Sequence, residues 1–308
     1  MPTAREVKNR IRGVKNIMQV TRALEAVSAS KVRRATQAVL STRSYTTNAW
    51  EILLNIAGTA APGTSLHPLL DVRSKAPESI TIILMTGDRG LAGAYNSNIL
   101  RVARQFAARS GLPVRWVAVG RKGRDSLIRS RSNVIAEFTP MPPRPLVADV
   151  SPIAQLVMDD YLGGKTDEVY LAYTDFVNTL TQKPVIQRLL PLTPMAPEQL
   201  AVADYLKKPP TVSITKGQVY EYEPNANAIL DEIVPKFTVM VIYQALLEAL
   251  ASEHSSRMVA MRNATDSAKD LVTGLQLVYN KARQAGITSE ILDIVGGVEA
   301  LRGQMEQN

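Results

Sequence analysis

Apolar residues recur at steps of three and four along both ends of the chain. At the far end one stripe runs Ile229, Ile233, Phe237, Met240, Tyr243, Leu247, Leu250, His254, Met258, Met261, Ala264, Ala268, Leu271, Leu275, Val278, Ala282. Its mean step is near 3.5 over the 53 residues from first to last. A 3.5 repeat held that long keeps one seam on a neighbouring helix and winds the pair left-handed. The spacing predicts one helix over Asn227–Ala285, roughly 90 Å at ~1.5 Å per residue. Pro235, near its start, is the only proline inside it. The near end matches. Val7, Ile11, Val14, Met18, Thr21, Leu24, Ser28, Val32, Ala35 and Val39 step in the same way, and residues 3–56 hold no proline. Thr3 with Glu6 fits a capping box, and the small residues of Ala23–Ser30 let a second helix come close. The expectation is a long antiparallel two-helix coiled coil made by the two terminal segments.

Between them the texture changes. Residues 57–78, with Gly58, Pro62, Gly63, Pro68 and Pro77, read as a linker. Short β-branched runs then alternate with helical stretches. Strands are expected at Ser79–Thr86, Pro113–Val119, Asn133–Phe138, Glu168–Thr174 and Pro184–Leu192, with helices at Leu91–Ala108, Lys122–Arg129 and Val150–Leu162. That alternation is the mark of a sheet with helices on its faces. The fold class is therefore α/β, a Rossmann-like module of residues 79–192 inserted into the coiled coil. Residues 1–56 form the first helix, 193–224 a proline-rich return, and 225–308 the second helix with an apolar tip. In that tip, Ile287, Ile291, Ile294, Val295, Val298 and Leu301 share a helix with few charges. It runs past its internal partner, which implies a socket on another protein; the plainer reading folds it back on the module.

Charge sharpens the picture. The chain of 308 residues has a net charge of +8. Residues 1–43 carry ten Lys or Arg against two Glu, so the whole excess sits on the first helix. Such a face meets nucleic acid, anionic lipid or an acidic protein unless it is only solvated. No aromatic residue interleaves with Arg10, Arg12, Lys15, Arg22, Lys31, Arg33 and Arg34, so an acidic protein fits better than nucleic acid. No run of 18 apolar residues is present, and the opening MPTAREVKNRIRG reads as the first turn of a mature helix rather than a targeting segment. With no cysteine and only His67 and His254, thiol chemistry is excluded and a histidine metal site is not expected. His254 reads as a packed or partner-facing histidine.

Catalytic signals are weak. Thr86-Gly87-Asp88-Arg89-Gly90-Leu91-Ala92-Gly93 joins a strand to a helix, where phosphate sites live. Its spacing is neither G-x-G-x-x-G nor a P-loop, so it reads as a tight turn. Gly120–Gly123 is a second, basic turn. Asp159-Asp160 and Asp231-Glu232 read as helix-surface carboxylates, and no nucleophile–base pattern can be built. No cofactor, no metal and no catalytic residue are expected. The rivals are a nucleotide-dependent α/β enzyme with a coiled-coil arm and a basic coiled coil that binds nucleic acid.

Several blocks, in order, carry a resemblance. IRGVKNIMQVTRALEAVSASKVRR (Ile11–Arg34), DRGLAG (Asp88–Gly93), RMVAMRNATD (Arg257–Asp266), LQLVYNKARQA (Leu275–Ala285) and ITSEILDIVGGVEA (Ile287–Ala300) resemble the gamma subunits of F-type ATP synthases, the central rotor shaft. Ala92 stands where the family usually has cysteine, and Val298 where alanine is usual. With no cysteine, the redox switch of the plant chloroplast form is absent.

The resemblance implies a non-catalytic shaft. It would turn inside three alpha and three beta subunits, with the module on the epsilon subunit and the membrane c ring. It would couple ion-driven rotation to the three catalytic sites. By position, Arg283, Gln284 and Thr288 look like polar contacts with a beta loop, and Arg257 and Leu24 like shaft residues facing the acidic lever loop of beta. Tyr220, Tyr222 and Glu223 look like the foot on the c ring. The membrane would be met only indirectly. The implied place is the cytoplasmic face of a bacterial plasma membrane, ahead of an organellar inner or thylakoid membrane.

Overall fold

The computed structural model describes residues 3–59, 67–71, 75–192 and 226–305. Two helices dominate, α1 (Ala4–Thr59) and α5 (Ala226–Met305). The first three residues of the expected linker, 57–59, thus still belong to α1, which runs through Gly58. The apolar tip is no separate helix. Gly286, Gly296 and Gly297 are all inside α5, each costing only about 1 kcal/mol relative to alanine. At the other end, Thr3 and Glu6 exchange backbone N–H to side-chain oxygen hydrogen bonds at 3.2 and 3.3 Å, the expected capping box.

The chain divides into two compact units, and the division falls within the long helices: residues 1–27 with 260–308, and residues 28–259. The smaller unit is a two-helix coil. Val7, Ile11 and Thr21 are buried, while residues 8–10, 12 and 13 between them are exposed. Thr21 and Thr265 meet across the seam, hydroxyl to hydroxyl at 2.7 Å. Counted outward from that pair, Val14 and Val7 fall opposite Val272 and Tyr279, at seven-residue steps in both directions. The seam phase therefore differs from the expected one. Leu271 (52% exposed) and Val278 (45%) lie off it, and half-buried Val272 and Tyr279 take their places. Either choice satisfies a step of three or four; only the partner helix decides.

The larger unit is built on a five-stranded sheet of order β3-β2-β1-β4-β5. Its strands are β1 (Ile80–Met85), β2 (Val114–Val119), β3 (Val134–Phe138), β4 (Glu168–Phe176) and β5 (Gln182–Leu190). The first four are parallel and β5 runs antiparallel at the edge, where Pro184 costs no central ladder bond. The connecting helices are α2 (Tyr95–Ser110), α3 (Arg121–Arg129) and α4 (Val147–Leu162). α2 begins four residues later than expected because Leu91 and Gly93 turn the chain with φ of 62° and 56°. Alternation along β1 sends Ile80, Ile82 and Leu84 to a core with α2 and α3. Ile83 and Met85 face a core with α4 and α5. Burial on both faces explains the unbroken apolar run. Asp160 is a correction: only 3% exposed, it holds Arg115 at 2.8 Å and Lys165 at 3.1 Å beneath the sheet. A buried carboxylate needs such partners. α5 also contains an 18-residue stretch apolar enough to cross a membrane, but 56% of it is buried in this fold, as a core helix requires.

Candidate functional site

In an open parallel sheet, ligands bind beyond the carboxyl ends of the strands, where the strand order reverses. Here that point lies between β1 and β4, and α5 fills it. Ser252 Oγ donates to the carbonyl of Thr174 on β4 at 3.0 Å. The Tyr95 hydroxyl donates to the carbonyl of Ala249 at 3.0 Å, and burial, with Glu253 nearby, pushes its pKa well up. The carboxyl carbon of Glu253 would stand 2.8 Å from any Cβ at Gly87. A side chain at Gly87 would therefore have to displace the Glu253 carboxylate where the turn after β1 meets the helix.

The turn is held from several sides. Gly87 N–H donates to Asn96 Oδ1 at 2.9 Å. Asp88 accepts from the backbone of Arg121 at 2.9 Å and of Met141 at 3.1 Å, joining the start of α3 to the proline-rich segment after β3. Gly120, at φ 95°, lies so close to Thr86 that a Cβ would come 2.0 Å from its carbonyl oxygen. Arg257 closes the set. Its guanidinium donates to Glu253 and, at 3.3 Å, to the carbonyl of Gly90, leaving its side chain 13% exposed. His254 Nδ1 lies 3.2 Å from Arg257 Nη1. Burial first, then Arg257, Lys31 and Arg34, lower its pKa to about 4, so the ring is neutral at pH 7.

The other expected residues lie in the smaller unit. Leu24 is half-buried on the seam side of α1. Arg283, Gln284 and Thr288 are exposed, at spacings that place them on one side of α5. Thr3 falls opposite Arg283 when counted from the threonine pair, so α1 ends there. All side chains from Arg283 to Val298 are exposed, including Ile287, Ile291, Leu292 and Ile294. Arg257 is not brought together with these residues. Tyr220, Tyr222 and Glu223 lie outside the described residues. Glu253, Tyr95 and Asn96 escaped the sequence reading. The i,i+4 spacing of Glu253 and Arg257 was the one signal available.

A family model described as ATP synthase matches residues 3–301. The ATP synthase gamma chain of Roseiflexus sp. (strain RS-1) is 44% identical over 304 residues, covering 98% of this chain and 99% of that one. The chain belongs to the ATP synthase gamma chain family. A gamma chain of Dehalococcoides mccartyi is 43% identical over 301 residues, covering 98% and 100%. Among solved structures, a chain from the Euglena gracilis mitochondrial ATP synthase (OSCP, F1 and c-ring) has a TM-score of 0.63 at 19% identity, covering 97% of this chain and 94% of that one. A chain from the central stalk and c-ring of the Tetrahymena thermophila enzyme has a TM-score of 0.56 at 24% identity, covering 80% and 99%. At these identities the likeness is one of fold.

Proposed function

We propose that this chain is the central rotor shaft of an F-type ATP synthase and performs no catalysis itself. The observation that carries the reading is the stretch of α5 from Arg283 to Val298, helical and exposed on every side. An apolar helix end left in water marks a surface meant for a partner. Three alpha and three beta subunits form the sleeve around it. Nucleotide chemistry belongs to them, in keeping with the crevice that α5 occupies here. Rotation presents a different side of the shaft to each catalytic site in turn, and each site changes affinity through differential contact.

Arg283, Gln284 and Thr288 make the polar grip on beta, from exposed positions where pairs are worth roughly 0–1 kcal/mol each and break readily. Leu24 faces the acidic lever loop of beta. Arg257 meets that loop only with the small part of its side chain left outside its pair with Glu253. Tyr220, Tyr222 and Glu223 form the foot on the c ring, beside epsilon. The complex sits on the cytoplasmic face of a bacterial plasma membrane, which the chain itself touches only through its partners. The test is a tagged pull-down from native membranes in mild detergent, read by intact-complex mass spectrometry. Three alpha, three beta and epsilon per copy of this chain are expected. A free monomer or homodimer would overturn the reading.

A further inference from the structure

A cavity of about 240 Å³ lies in the larger unit, on the face of α5 turned away from the filled crevice. Its floor is apolar, with Ala35 of α1 and Leu247 and Leu250 of α5. Its rim carries Lys31, Arg34 and Arg144, and among the described residues no carboxylate lines it. Among the described residues, none of these three cations has an ion-pair or hydrogen-bond partner. The wall on the proline-rich side is fixed, because the Tyr243 hydroxyl donates to the carbonyl of Pro145 at 3.2 Å. Three uncompensated positive charges around an apolar floor favour a ligand with a negative head and a greasy stem. A cavity of this size suits a medium-length single chain. A bare phosphate would leave the floor unfilled, and a neutral alcohol would leave the cations unpaired.

We propose that this cavity binds a single-chain anionic amphiphile, a medium-length alkyl carboxylate, with its head at Lys31, Arg34 and Arg144 and its stem on Leu247 and Leu250. The test is calorimetric titration of the full-length chain with sodium decanoate below its micelle concentration, with decanol as the neutral analogue. Saturable binding at one site is expected, with decanol at least about tenfold weaker. Arg34→Glu and Arg144→Glu should each weaken decanoate by about tenfold, and Leu247→Trp should abolish it by filling the floor. Arg129→Glu, the same charge change on α3, should leave it within about twofold. Arg34 and Arg144 are exposed, so these variants keep the fold even if Leu247→Trp does not. Non-saturating uptake, equal affinity for decanol, or equal loss in Arg129→Glu would overturn the proposal.

Discussion

α5 lives in two surroundings. From Ile242 to Ser255 it is buried on nearly every side, polar residues included, among them Gln244, Glu248, Ser252 and Glu253. From Arg283 to Val298 no described side chain is covered, although Ile287, Ile291, Leu292 and Ile294 are as apolar as anything in the core. One helix is thus a core element and an interface element in turn. Apolarity alone does not say which. In the first stretch a sheet end wraps the helix, with Ser252 bonded to Thr174 of β4 and Glu253 tied through Arg257 to the turn at Gly90. In the second, α1 has ended.

The contrast can be broken most forcefully at Gly120. Its Cβ-free approach to Thr86 and its φ of 95° leave no room for alanine. Gly120→Ala should cost about 4 kcal/mol or more, seen as lost hydrogen-exchange protection in β1 and β2. Arg257→Ala leaves Glu253 in a largely buried place without its partner. A loss of about 3 kcal/mol is expected, again confined to the larger unit. Acid should act there too. His254 has a folded pKa of about 4 against an ordinary 6.5, so the fold favours the neutral ring. Its contribution is complete above pH 6.5 and is lost as pH falls toward 4, by up to about 3 kcal/mol. His254→Gln should remove that part of the acid slope in denaturant unfolding. In the coil the seam phase can be tested with a pair of variants. Val272→Ser should cost about 1 kcal/mol and Leu271→Ser less than about 0.5; the reverse order would refute the phase assigned from the threonine pair. The smallest effect belongs to the tip. Ile291→Ser with Ile294→Ser should leave the stability of the isolated chain within about 0.5 kcal/mol while weakening recovery of the assembled complex in the pull-down.

Much of this was legible in the residues. The two long helices, the alternating strands and the unpaired tip followed from period and length, because each is a local pattern that packing reinforces. What stayed hidden depended on neighbours distant in sequence. Leu271 and Val272 are equally apolar, and only Thr21 across the seam shows which faces inward. Asp160 is surrounded by helix-like sequence, yet Arg115 of β2 rises beneath it. Arg257 belongs to a block read as partner-facing, and its capture by Glu253 and Gly90 depends on a turn some 167 residues away. The glycines at 87 and 120 announced turns, but not that a helix from the chain's other end would close over them.

The threonine pair at the seam has a mechanical consequence. Slide one helix along the other by a single heptad in one direction and Thr21 faces Met258, while Thr265 faces Val14. Each hydroxyl would keep its bond to its own helix, at the carbonyls of Met18 and Met261, and lose only the contact across the seam, at about 1 kcal/mol. This polar contact thereby works as a key in a keyway. It adds little to cohesion, yet it opposes axial shear, so twisting applied at one end of the coil is delivered as rotation rather than spent on slippage.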